Sequence, residues 1–238
     1  MIDFEEIDFR QTRIGEISLR RRTQLSLGIE IYEVKLGDEF LMSSLFTEGE
    51  IQLANLGLAD LGAGPLDVVV GGLGLGYTAR AALDHASVGS LVVIEAIPEV
   101  IDWHQRGLVP LGKGLSDDPR CRFLAGDFFA LAASPSLDAT QPSKRYHAIL
   151  VDIDHSPRHT LDSTHASLYS EKGLHRLAAH LHPGGVFALW SNDPPDGEFS
   201  AVLDAVFPGS VAHVVRFPNP LQNNRDATNT VYVARVAT

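Results

Sequence analysis

The stretch VVVGGLGLGYTARAAL, residues 68–83, runs from three valines through four glycines into a helix-forming segment. A strand that stops in a glycine turn and restarts as a helix presents free backbone N–H groups and the positive end of a helix dipole. That arrangement suits a nucleotide or nucleoside ligand. The turn does not name the ligand by itself, so the flanking residues must.

Outward from the turn the chain alternates. Strand patterns lie at LDVVVG (66–71), SLVVIEA (90–96), CRFLAGD (121–127), HAILVDI (147–153) and GVFALWS (185–191), with helical patterns near 77–86, 97–107, 127–133 and 163–182. Near-continuous apolar strands alternating with helices predict an α/β, doubly wound, mostly parallel sheet covered on both faces. SVAHVVRFP (210–218) and NTVYVARVA (229–237) alternate and are joined by a turn-rich stretch, so they read as an antiparallel hairpin at the sheet edge, giving seven strands. Residues 1–45 differ. EIDFRQT, IGEISLRRR, GIEIYEVKLG and EFLMSSL are short alternating segments broken at Gly15, Gly28 and Gly37, the pattern of antiparallel hairpins. The expected division is a β-hairpin region, 1–45, and a Rossmann-like domain, 46–238. Arg20, Arg21 and Arg22 read as a solvated strand edge. Thr47 followed three residues later by Glu50 reads as a helix N-cap with its capping box.

Composition narrows the function. The chain has 238 residues, 45% hydrophobic and 21% charged, with net charge −11 and one cysteine, Cys121. A strongly acidic chain argues against a nucleic-acid backbone as partner and admits a cationic ligand such as an amine. One cysteine excludes a disulfide framework and reads as a buried small residue. No apolar run approaches the ~20 residues of a membrane helix and no secretory signal is visible, so a cytoplasmic protein without membrane contact is expected.

In such sheets ligands lie at the carboxyl ends of the strands. The first strand end supplies Gly72, Gly74 and Gly76, where a missing Cβ lets backbone approach a ligand. The second supplies Glu95, beside Ala96, placed to accept the hydroxyls of a ribose. The third ends in Gly126 and Asp127, a carboxylate that could take the exocyclic amine of an adenine. The fourth ends in Asp152, Ile153 and Asp154, followed by His155. Each has a plain structural alternative: a tight turn, a solvated strand end, and for Asp127 a helix N-cap. Both NAD(P) and adenosyl-sulfonium ligands fit the first two features. Gly126 with Asp127 and the acids of strand four favour the sulfonium.

VGGLGLG (70–76), LVVIEAIPEVI (91–101), DDPRCRFLAGDFFALA (117–132), YHAILVDIDH (146–155) and LYSEKGLHRLAAHLHPGGVFAL (168–189) resemble the class I methyltransferase fold, and within it the spermidine-synthase group of aminopropyltransferases. The resemblance covers about 67–190, and the N-terminal hairpins sit where that group carries its own. It implies a transferase using S-adenosylmethionine or its decarboxylated form, with Glu95 on the ribose and Asp127 on the adenine. Three departures stand out. Leu75 matches the position of an acid in the group's glycine loop. The strand-four acids, Asp152 and Asp154, are two apart instead of three. The usual Tyr and His near EFLMSS are missing.

Alkyl transfer from a sulfonium needs alignment and a deprotonated nucleophile. Asp152 is the expected orienting or basic group, with Asp154 and His155 as further catalytic candidates. Leu75 turns the main expectation toward methyl transfer to a small-molecule acceptor, an amine being one option, because a bare cationic tail would lack its acid. Aminopropyl transfer is the alternative, and a non-catalytic nucleoside-binding relative is a third reading. Homodimerisation is compatible with any of them. No metal is expected: VDIDH and WSND place Ser191 where a ligand acid is wanted, and His175, His180 and His182 fall on a predicted helix and its end.

Overall fold

The computed structural model describes residues 4–62 and 64–238, so residues 1–3 of the expected hairpin region lie outside the described residues. Strands β1 (Phe4–Thr12), β2 (Gly15–Gln24), β3 (Ile29–Leu36) and β4 (Glu39–Ser43) form an antiparallel sheet in chain order. Ile17 and Leu19 lie opposite Leu36 and Val34, which puts four apolar side chains on one face. Ile17, Leu19 and Val34 join the same core as Leu73 and Leu75 of the glycine turn. The arginines of β2 are not at an edge. β2 is an inner strand, and Arg21 pairs with Glu5 at 2.5 Å and Arg22 with Glu33 at 2.8 Å across its two neighbours.

The main sheet contains β5 (Leu66–Gly71), β6 (Val88–Glu95), β7 (Cys121–Ala125), β8 (Tyr146–Val151), β9 (Leu181–Ser191), β10 (Val211–Asn219) and β11 (Arg225–Arg235) in the order β10-β11-β9-β8-β5-β6-β7. The first five are parallel, and β11 is antiparallel to both β9 and β10. The α/β, mostly parallel seven-stranded reading is therefore correct, with the hairpin inserted so that β10 forms the edge. Val68, Val69 and Val70 are all fully buried because both faces are covered. Val68 and Val70 face α1 (Glu48–Leu58), α2 (Tyr77–Asp84) and α3 (Pro98–Arg106), with α4 (Gly112–Ser116) beside them. Val69 faces α5 (Phe128–Ala133), α6 (Glu171–Ala178) and α7 (Gly197–Val206).

Two local readings change. The segment 163–182 is not one helix. A 3₁₀ turn, Ser163–Ser167, gives way to α6, whose N-cap Ser170 accepts from Gly173 N–H, and β9 has begun by Leu181. His180 and His182 are therefore off the helix; buried His180 bonds the Ala132 carbonyl at 3.1 Å. Thr47 occupies the N-cap position of α1 but makes no side-chain capping bond. Glu50 is released from the capping role and is buried. The reason is packing: Gly57 sets α1 flush on the sheet, where a Cβ would come within 2.6 Å of Leu150 and 3.1 Å of Ala188. The first turn of α1 is thereby carried to the carboxyl end of β8.

Candidate active site

A cavity of about 480 Å³ lies at the carboxyl ends of β5, β6, β7 and β8, roofed by the N-terminal sheet. Gly72, Gly74, Glu95, Ala96, Asp127, Asp152 and His155 all border it, together with Glu50 and His165, which the sequence reading did not place there. Gly76 and Gly126 stand outside. Gly76 is the left-handed N-cap of α2, and Gly126 N–H donates to the Glu95 carbonyl at 2.9 Å.

Asp152 directly follows β8 and is tied to α2: Thr78 O–H donates to Asp152 Oδ2 at 2.7 Å and lies 3.3 Å from the Glu50 carbonyl oxygen. Burial pushes the Asp152 carboxyl up to about 6 against the opposing pull of that hydrogen bond. Burial and the charge of Asp152 push Glu50 further, to about 8. Among the described residues neither acid has an ion-pair partner. Glu50 is buried and Asp152 half-buried, and both border the cavity, where a cation would relieve their mutual repulsion.

Glu95 closes β6 as a bridge between turns. Its Oε2 accepts from Leu73 N–H and its Oε1 from Ile97 N–H, both at 2.9 Å. Burial pushes its pKa up, opposed by the backbone N–H groups of Leu73, Ile97, Gly74 and Ala96. Only Leu73 and Ile97 meet hydrogen-bond geometry, one on each oxygen, so each oxygen has a second acceptor site that a ribose hydroxyl could use. Glu95→Gln leaves one of these N–H groups facing an amide NH₂, so it is expected to destabilise the protein by about 1–3 kcal/mol in denaturant unfolding. Unchanged stability would show that Glu95 does not hold the two turns together. Asp127 is the N-cap of α5, its Oδ1 accepting from Phe129 and Ala130 N–H at 2.9 and 3.2 Å, and its Oδ2 has no partner among the described residues. The capping and ligand-facing readings of Asp127 are thus compatible.

No family model matches the chain. It is 32% identical over 154 residues to polyamine aminopropyltransferase 2 of Pseudomonas aeruginosa, covering 60% of this chain and 40% of that protein. It is 24% identical over 159 residues to the polyamine aminopropyltransferase of Sulfolobus acidocaldarius, covering 67% of this chain and 47% of that protein. The chain therefore spans less than half the length of these curated relatives. A spermidine synthase solved in complex with the transition state analogue AdoDATO superposes with a TM-score of 0.73 at 20% identity, over 97% of this chain and 73% of that one. The fold is spermidine-synthase-like. The spermidine synthase of Thermotoga maritima gives 0.71 at 19% identity over 97% and 72% of the two chains. Human methyltransferase-like protein 13, in complex with SAH, gives 0.53 at 19% identity over 80% of this chain and 78% of that one.

Within this spermidine-synthase-like fold three expectations need correction. The missing glycine side chains face other parts of the protein: a Cβ would collide with the Asp152 carbonyl at Gly72, with Met42 Sδ at Gly74, and with Leu115 and His104 at Gly76, so internal packing alone already requires glycine there. Leu75 does not border the cavity. It is fully buried in the core under Met42, so an acid there would point into apolar packing, and its absence says nothing about a ligand's tail. Asp154 is turned away from the cavity, accepting from Leu161 N–H at 2.8 Å and Tyr169 O–H at 2.7 Å, with His165 Nδ1 at 2.8 Å. His155 does face the cavity, its Nε2 held 2.9 Å from Glu39 Oε1 of β4. Behind the loop, buried His104 places Nε2 3.0 Å from the Gly74 carbonyl. Burial holds this imidazole down at about 4, so it is neutral and Nε2–H donates.

Among the described residues no helix is long and apolar enough to cross a membrane, and no three His, Cys, Asp or Glu side chains converge as a metal-ligand set.

Proposed function

We propose that this chain transfers an aminopropyl group from decarboxylated S-adenosylmethionine to the nitrogen of a small amine. The observation that carries the proposal is the Glu50–Asp152 pair, a buried and a half-buried acid that border one cavity and have no ion-pair partner among the described residues. The sequence relatives named as polyamine aminopropyltransferases support the same reading. Methyl transfer, the main expectation from the sequence, rested on Leu75, and the burial of Leu75 removes that argument.

The lining fits an adenosyl ligand, with Glu95 offering lone pairs to the ribose and Asp127 Oδ2 to the base. When bound, such a donor supplies a carbon activated by sulfonium: the amine lone pair forms the new N–C bond as the C–S bond breaks to a neutral thioether. The residues do the rest. Glu50 and Asp152 attract ammonium groups into the cavity, whose walls hold them away from water. Asp152 accepts the proton that the amine must lose, a role for which a carboxyl raised toward neutrality is suited. Thr78 fixes the Asp152 rotamer, and His155 with Glu39 lines the acceptor's approach from the N-terminal sheet.

Incubation with either donor and a panel of small amines, followed by mass spectrometry, tests this. Aminopropylated amine together with 5′-methylthioadenosine is the expected outcome. Methylated product from S-adenosylmethionine would overturn it, and tight adenosyl binding without turnover would favour a non-catalytic relative.

A further inference from the structure

Asp154, buried, and His165, partly exposed, form a carboxylate–imidazole pair that the proposed transfer does not use. Asp154 is 1% exposed, and Tyr169, whose phenol is pushed well above its ordinary range by burial and by the Asp154 charge, donates to it from inside the fold. With Leu161 N–H donating as well, the carboxylate acts as acceptor, so His165 Nδ1 must carry the proton shared with it. The lone pair of a neutral imidazole then sits on Nε2. That atom has no partner among the described residues, and His165 borders the cavity that Asp154 does not. The ring is also immobilised: it stacks on Phe129 with centroids 3.7 Å apart and planes at 11°. Phe129 is the residue whose N–H is capped by Asp127 Oδ1, so His165 stands at the same end of the cavity as the open Oδ2 of Asp127.

We infer that His165 reads the base of the bound nucleoside, and that Asp154 is its positioning residue. This rests on the adenosyl reading of the cavity. An adenine amino group has two hydrogens, and this end of the cavity offers two acceptors, Asp127 Oδ2 and His165 Nε2. Hypoxanthine places a carbonyl oxygen there and meets two lone pairs with nothing to donate. The pair therefore selects adenine over its deaminated counterpart, as a site built for hydrogen bonds rejects a partner that cannot make them.

Calorimetry with 5′-methylthioadenosine, 5′-methylthioinosine and the N6,N6-dimethyl form of the first tests the inference. Wild type should bind the adenosine compound about 100-fold more tightly than either of the other two, two hydrogen bonds being at stake. His165→Phe keeps the stack on Phe129 and removes the nitrogen. It should lose about tenfold on the adenosine compound alone. Asp154→Asn should shift the preference in the same direction, since it acts through His165. Equal binding of the adenosine and dimethyl compounds by wild type overturns the inference without any variant, as does an unchanged preference in a folded His165→Phe. Failure of wild type to bind all three would remove the adenosyl reading and this inference with it.

Discussion

Asp152→Asn is expected to slow aminopropyl transfer on the order of 10³-fold while 5′-methylthioadenosine binding stays within about threefold of wild type, because a general base contributes to the barrier and not to nucleoside recognition. Asparagine preserves the shape, and its carbonyl oxygen can still accept from Thr78. What it lacks is the charge that holds an ammonium and the lone pair that takes a proton. Steady-state kinetics and calorimetry on the same preparation check both halves. A variant retaining a tenth or more of the wild-type rate would displace Asp152 from the base role and direct attention to His155, which also borders the cavity and is held by Glu39.

Glu50→Gln is expected to stabilise the protein at pH 9 by roughly 2–4 kcal/mol relative to wild type, and to make little difference near pH 5. The sign follows from the direction of the shift. Burial and Asp152 raise Glu50 from 4.5 to about 8 in the folded chain, so the fold binds this proton more tightly than the unfolded chain does. The corresponding stability is fully present below about 4.5 and is lost as pH rises to about 8. Glutamine imitates the protonated acid and has no such window. Thermal or denaturant unfolding across pH measures the difference. Wild type as stable as the variant at pH 9 would show that Glu50 is not held protonated by its surroundings. The same shift implies that a cationic ligand, by favouring the doubly ionised pair, displaces a proton when it binds near neutrality.

What could be read in the sequence was whatever depends on periodicity and on strand ends. LDVVVG is β5 residue for residue, and Glu95, Asp127 and Asp152 all border one cavity because a parallel sheet brings its carboxyl ends together. What could not be read was the direction of a side chain within a loop. Leu75 and Gly74 are neighbours, yet Leu75 is buried in the core and Gly74 borders the cavity, a distinction set by the left-handed turn at Gly74 and by Met42 packing from a distant sheet. Asp152 and Asp154 illustrate the same limit. They lie two apart, but the chain has left β8 by then, so strand alternation no longer says which faces the ligand. Glu50 was hidden differently. Its spacing from Thr47 matches a capping box, and only the seating of α1 against β8 and β9 shows that its carboxyl belongs to the cavity.

That seating also bears on when the cavity can come into being as the chain is made. α1 has two glycines at close-packed positions and no side-chain cap, so each glycine costs it about 1 kcal/mol of intrinsic helicity, and eleven residues are too few to hold a helix in water unaided. Part of its order comes from packing on α2 and part from contact with Leu150 and Ala188, which are translated much later. On the ribosome the segment carrying Glu50 therefore reaches its seat on the sheet only once β8 and β9 have been synthesised and paired. The two mutually repelling acids are brought face to face only when the surrounding sheet is already cohesive enough to confine them.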